Sequence, residues 1–455
     1  MGDFVAESLF APIFVPDAIR EATDGRAWLQ AMLDAERALA VAEARVGIVP
    51  VEAAEVIAGC CDVDLFDVEE IGRSGRAAGN PIPPLVEALT KNVSSVSEEA
   101  ARHVHKGATS QDIADTAAML VARRTLDLIL AELDGISAAC ARLAGAHRDT
   151  LMAGRTLMQQ ALPTTFGLKA AGWLVAVLDA RRRLLTVRES GLAVQLGGAT
   201  GTLASLGTSG AEVLREFADE LSLPEPVLPW HTARFRIVDL GNALALAAGT
   251  MHKVSLDVIL MSQTEVAEVA EPSGGGRGGS STLPHKRNPV GSVLAAACAR
   301  RVYPLAGTLQ AAMAQEHERA AGAWHSEWET LSDALALTGG AASAMRETLE
   351  GLQVHPGRMR ENLDITGGLL LAEHVTTAAA EKLGRLQAHE LVQNASRRAV
   401  ESGKPLREEV VAEPDLREAL TDEEIDAALD PAGYLGLADT FVDRALELYR
   451  KEVLA

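Results

Sequence analysis

A chain of 455 residues exceeds one ordinary domain and has room for roughly two to four units around a continuous core. Aromatic residues make up only 4 % while Ala, Leu, Val and Glu abound, which argues against β-sandwiches and for helix. The net charge of -21 repels phosphate backbones and anionic bilayers, so it excludes nucleic acid and membrane as general partners, and any anionic ligand needs a local cationic pocket.

From Met1 to Arg20 there is no basic segment followed by an apolar one, and no stretch has the length of an uncharged membrane span, so a cytoplasmic protein is expected. Residues 1–110 mix short helical patterns with breakers, above all Gly79-Asn80-Pro81-Ile82-Pro83-Pro84, and read as an N-terminal helical capping domain. From Gln111 apolar residues recur at helical spacing (Ile113, Ala117, Leu120, Ala122, Leu126, Leu130, Leu133, Ile136), which predicts a long helix. Four more are predicted at about 163–190, 236–270, 290–321 and 327–352. Such helices pack as a bundle, so 111–353 reads as a central helical bundle. Residues 354–455, broken at Gly403-Lys404-Pro405 and Asp430-Pro431-Ala432-Gly433, read as a small C-terminal helical domain. Cys60, Cys61, Cys140 and Cys298 form no CxxC pair and stand near no histidine at ligand spacing, so they read as buried or incidental thiols.

The most irregular stretch runs from Ser273 to Ser281, where Gly274, Gly275, Gly276, Gly278 and Gly279 crowd between two long helices. A bare linker has no need of the ordered polar run that follows, Ser280 to Pro289. A phosphate loop requires lysine directly after its closing glycine, and Ser280 stands there instead. His285-Lys286-Arg287, held between Pro284 and Pro289, is a presented cationic surface suited to anion capture.

Gly279-Ser280-Ser281-Thr282-Leu283-Pro284-His285-Lys286-Arg287-Asn288-Pro289 resembles the GSSxMPxKxNP signature of the fumarase/aspartase superfamily, with Leu283 in place of Met the one departure. That superfamily includes argininosuccinate lyase, adenylosuccinate lyase and bacterial 3-carboxy-cis,cis-muconate cycloisomerase. Residues 105–117, HKGATSQDIADTA, are similar to its threonine-serine motif, and 154–169, GRTLMQQALPTTFGLK, to its middle motif. With 195–201, 229–234 and the run from Gln315 to Glu329, the resemblance covers nearly the whole chain, and it is strongest to the bacterial carboxymuconate cycloisomerases. It implies an all-α, L-aspartase-like fold of three helical domains around a long-helix bundle, a homotetramer with composite active sites, a small polycarboxylate substrate, and no cofactor or metal.

The superfamily's reaction breaks a carbon–hydrogen bond beside a carboxylate, passing through an aci-carboxylate that calls for preorganised cations and amide donors in a site closed to water. The resemblance makes Ser281 the general base, with Lys286 and Asn288 gripping the carboxylate, and a serine acts so only where its surroundings favour the alkoxide. It also implies substrate contacts from His105, Lys106, Thr109, Ser110, Gln111, Arg155, Thr156, Gln160, Ser280 and Arg319. Thr109, Ser110 and Gln111 precede a helix, where unpaired N–H groups and the dipole suit an anion, although a plain N-cap accounts for them too. His105 fits a packed core histidine as well as a substrate contact, and Lys106 a solvated lysine as well as a pocket cation.

Many members carry histidine at one or both of the positions held here by Leu157 and Gln160. Neither residue can protonate a departing amine or hydroxide, which disfavours fumarase, ammonia-lyase and adenylosuccinate-lyase activity. A leaving group that departs as a stable anion fits. The expected reaction is therefore interconversion of 3-carboxy-cis,cis-muconate and its lactone, a step of protocatechuate breakdown. A lyase expelling nitrite from nitrosuccinate fits the missing acid equally, and an inactive structural relative is the third reading, opposed by the intact Ser281, Lys286 and Asn288. Lys106 and Phe235 also depart from the residues typical of cycloisomerases.

Overall fold

The computed structural model describes residues 9–273, 278–279, 283 and 285–454. Helix dominates, with two two-stranded antiparallel sheets among the described residues. The helix predicted from Gln111 spans Ser110–Ala146, and Ile113, Ala117, Leu120, Leu126, Leu133 and Ile136 are all buried along it, as the 3.6-residue spacing requires.

The other long helices are Phe166–Thr186, Phe235–Met261, Val290–Ala311 and Trp328–Glu350, and three of them are shorter than their apolar patterns. Residues 163–165 belong to a strand, Gln159–Thr165, paired with Leu151–Thr156. Pro163 sits opposite Ala153 beside an irregularity in the ladder, where its missing N–H is tolerated. After Met261 the backbone turns: Ala267 has φ 49, Glu268 N–H donates to the Met261 carbonyl, and Val269–Ala270 pairs with Gln353–Val354. The Val290–Ala311 helix ends ahead of the polar run 315–319.

Two compact units divide the chain. One draws on Met1–Leu133, Asp179–Lys253 and Val293–Met345, the other on Asp134–Leu178, Val254–Ser292 and Arg346–Ala455. In the first, the Gly25–Arg45 helix is capped by Asp24, which accepts from Ala27 N–H at 2.8 Å, and buries Leu29, Leu33, Ala35 and Leu39 together with two acids, Glu36 and Glu43. In the second, Val375, Ala379, Val392, Leu406, Val410, Leu416 and Ile425 form a core of their own. The Asp422–Ala428 helix there begins with a capping box between Thr421 and Glu424.

The Phe235–Met261 helix is long and apolar enough to cross a bilayer, with 44 % of its most apolar stretch buried inside the protein. Three of its charged residues bond to protein groups: Arg236 donates to the Gly191 carbonyl at 2.8 Å, Asp239 pairs with Arg183, and Asp257 accepts from the Trp173 indole at 2.7 Å. All four cysteines are buried and free.

Candidate active site

In the first unit the start of the Ser110–Ala146 helix is held by one carboxylate. Asp112, fully buried, accepts from the backbone N–H groups of Thr109 (2.9 Å), Gly197 (2.9 Å) and Gly198 (2.8 Å), and its Oδ1 lies 2.7 Å from His231 Nε2. Four donors on two oxygens satisfy the buried charge and lock the 105–111 turn to the 195–201 segment. Contact there is close. Gly107 has φ 77, and a Cβ on it would stand 2.5 Å from Leu206 Cδ2, so glycine alone fits.

One turn further along the helix, Asp115 meets Arg234 and Glu327. Arg234 is 1 % exposed; it donates to both oxygens of Asp115 (2.7 and 2.9 Å) and to Glu327 (2.5 to 3.2 Å), with its guanidinium 4.8 Å from the Trp230 ring. Trp324 Nε1 adds a bond to Asp115 at 3.0 Å, and Gln315 Nε2 one to Glu327 at 2.9 Å. Burial holds the Glu327 carboxyl above its usual range although Arg234 opposes this. Two acids and one guanidinium thereby fasten the helix start to 230–234 and 315–327.

The predicted substrate residues of this unit cluster around that frame. Gln111 is fully buried: its Nε2 donates to the His231 carbonyl (2.8 Å) and Asp115 (3.1 Å), and its Oε1 accepts from Arg319 Nε (3.2 Å). Arg319 also donates to the Ala199 carbonyl at 3.0 Å, while its Nη2 is buried without a partner among the described residues, a donor that a bound anion would satisfy. Thr109 and Ser110 are half-buried, and their hydroxyls bond to no protein group among the described residues. His105 takes a left-handed backbone (φ 57) with its Nδ1 2.6 Å from Glu36 Oε1. Lys106 donates to the Ile48 carbonyl at 3.2 Å.

The second unit carries the other set. The hairpin Leu151–Thr165 turns at Leu157 and Met158, both at positive φ and both exposed. On it the Arg155 fork is bidentate with fully buried Glu268 (2.9 and 2.6 Å), and Asn362 Nδ2 donates to the same acid at 2.9 Å. Gln160 Nε2 donates to the Asn362 carbonyl at 2.8 Å, and the Gln160 Oε1 and Asn362 Oδ1 oxygens are buried without partners among the described residues. Thr156 is exposed. In the signature loop, Asn288 N–H donates to the Gly278 carbonyl at 2.9 Å, Gly278 has φ 66, and Lys286 is exposed. Glu271 caps the helix that follows, accepting from Gly291 N–H (2.9 Å), Ser292 N–H (2.8 Å) and Ser292 Oγ (2.6 Å). Ser280 and Ser281 lie outside the described residues.

Sequence reasoning singled out neither the Asp112–His231 pair nor the roles of Asp115, Arg234, Glu327 and Glu36. One signal was present: Asp112, Asp115 and Thr116 recur on one face of a helix otherwise buried and apolar, and a buried polar stripe demands partners.

A long-helix fold that gathers hydroxyls and a guanidinium donor without a partner among the described residues at one helix start fits a helical lyase working beside carboxylates. The chain belongs to the lyase family of the fumarase/aspartase superfamily. The family model described as Lyase matches residues 15–303, and that described as Adenylosuccinate lyase C-terminus matches 368–445. It is 47 % identical to 3-carboxy-cis,cis-muconate cycloisomerase of Bradyrhizobium diazoefficiens, over 98 % of each chain. It is also 45 % identical to nitrosuccinate lyase of Streptomyces davaonensis, over 97 % of this chain and 95 % of that one. The crystal structure of 3-carboxy-cis,cis-muconate lactonizing enzyme from Pseudomonas putida superposes with a TM-score of 0.92 at 44 % identity, covering 98 % of this chain and 99 % of that one.

Proposed function

We propose that this chain is a 3-carboxy-cis,cis-muconate cycloisomerase of the protocatechuate branch of aromatic breakdown, acting in the cytoplasm. The observation that carries the reading is the hairpin: Gln160 points its amide at the Asn362 carbonyl, Leu157 is apolar and exposed, and neither can give a proton to a leaving group. In the lactonising direction none is needed. A carboxylate oxygen of the substrate adds to the β carbon of a conjugated alkene, the displaced π pair spreads onto the neighbouring carboxylate, and a serine hydroxyl returns a proton to the α carbon. In the reverse direction the serine alkoxide removes that proton and the lactone oxygen leaves as carboxylate.

Ser281 takes the serine role by family resemblance. Lys286, Asn288, Arg319 and the Thr109 and Ser110 hydroxyls bind the carboxylates, and Ser280, His105, Lys106, Gln111, Arg155 and Thr156 surround them. We read the active unit as a homotetramer with composite sites. The exposed apolar tip Leu157–Met158 and the exposed Leu246, Leu256 and Leu260 of a bilayer-length helix support this, since such surface in a single copy calls for a protein cover. The separate core formed by 375–428 supports a C-terminal domain, with 1–110 as cap and 111–353 as bundle.

A nitrosuccinate lyase is the second reading, favoured by the 45 % identical relative and by the same missing acid. Purified protein is given each compound: loss of the diene ultraviolet absorbance without nitrite release supports the cycloisomerase, and nitrite without diene loss overturns it. A Ser281→Ala variant with full turnover would remove the serine mechanism.

A further inference from the structure

The Gly25–Arg45 helix buries two acids on its inner face, two turns apart, and neither belongs to the machinery described above. Glu36 is 1 % exposed, and His105 Nδ1 is the one hydrogen-bond partner its side chain has among the described residues. Glu43 is buried with neither oxygen bonded among the described residues. Both face the turn that carries His105 and Lys106.

A fully buried carboxylate facing one imidazole nitrogen at 2.6 Å selects the tautomer that carries a proton on Nδ1 and favours adding a second on Nε2. The other ring nitrogen, Nε2, has no protein partner among the described residues, and the side chain keeps 18 % of its surface open. The backbone adopts a left-handed conformation to hold the ring there (φ 57), a cost that β-carbon residues rarely bear without a purpose. Further along the same turn stand Thr109 and Ser110, whose hydroxyls bond to no protein group among the described residues. Resting on the carboxylate-binding reading of that turn, we propose that Glu36 is a positioning residue: it fixes His105 as an imidazolium whose Nε2–H is presented to a carboxylate of the bound polyanion.

The surrounding charges agree. Burial works against the His105 charge, but Glu36 outweighs it, helped by Asp112 and Glu43, so the imidazolium is held to higher pH than usual. Burial pushes Glu43 up to about 8, so it is mostly neutral at pH 7, with Lys106 and His105 opposing this. Glu43 therefore adds little charge near pH 7, and Glu36 is the acid in hydrogen-bond contact with His105.

The test is Glu36→Gln, which keeps the volume and an oxygen that accepts from Nδ1 but withdraws the charge. Because His105 is charged below its raised pKa and neutral above it, the anchor should be lost at lower pH in the variant. KM should therefore begin to rise at lower pH in the variant than in the native enzyme, by up to about tenfold with kcat little changed, and acidification should restore it. The control Glu43→Gln should leave the profile below pH 7 unmoved. Histidine Cε1 resonances, with His105 assigned by His105→Asn, give a readout free of activity: the His105 midpoint should lie above 6.5 and fall in Glu36→Gln. A KM defect equal at all pH values, an unmoved His105 midpoint, or an equal effect from Glu43→Gln overturns the proposal. If native enzyme leaves carboxymuconate untouched, the assigned substrate fails, and the His105 titration with citrate as a tricarboxylate probe still decides the dyad: citrate must raise the midpoint in the native protein.

Discussion

Replacing Arg234 with Met tests whether the buried triad is the frame of the site. Arg234 is shared between Asp115 and Glu327, and all three side chains are 3 % exposed or less. Met fills most of the volume but leaves two carboxylates facing each other without a cation, and removing one partner of such a cluster costs about 3–5 kcal/mol. For a cooperative unit beyond 200 residues each kcal/mol moves the midpoint by about 2 °C, so thermal unfolding followed by circular dichroism should shift down by about 6–10 °C at matched protein concentration. The pH dependence has a fixed sign. With Arg234 gone, burial and Asp115 hold Glu327 above its unfolded pKa, the folded state binds more protons than the unfolded one, and stability falls as pH rises. The deficit should therefore shrink between pH 7.5 and 5.5, and adding Glu327→Gln should recover part of it. A loss below about 1 kcal/mol, or a deficit that grows on acidification, would refute the reasoning.

Asp112→Asn keeps one acceptor oxygen for four donors; urea unfolding should show a loss of about 2–4 kcal/mol, and unchanged stability would mean the four bonds are dispensable. Gly107→Ala combines a strained left-handed backbone with a 2.5 Å clash on Leu206 and should cost about 2–3 kcal/mol, of which Leu206→Ala returns only the steric part. Gly278→Ala would place a Cβ 2.7 Å from the Asn288 carbonyl at a left-handed backbone position; kcat/KM should drop by about tenfold or more, and native kinetics would separate this contact from catalysis.

What could be read in advance follows from how local the signal is. The Ser110–Ala146 helix declares itself because each of its apolar positions repeats every turn. The hairpin 151–165 does not, because its tip uses Leu157 and Met158 at positive φ where Asn-Gly would have marked the turn, and its second strand continues an apolar pattern into the next helix. The signature segments identify the loop and the helix start by residue type alone. Asp112 and His231 are 119 positions apart, and Glu36 and His105 are 69 apart, so tertiary folding and not spacing brings them together. Glu36 in particular looks like an ordinary helix acid until the fold buries it.

The salt bridge between Arg155 and Glu268 bears on retargeting the enzyme. The guanidinium comes to the hairpin already matched in charge, so exchanging it for another base alters an internal bond before it alters recognition. A variant library meant to accept a dianion in place of a trianion would do better to sample 105 and 106, leaving 155 and 268 as a fixed pair.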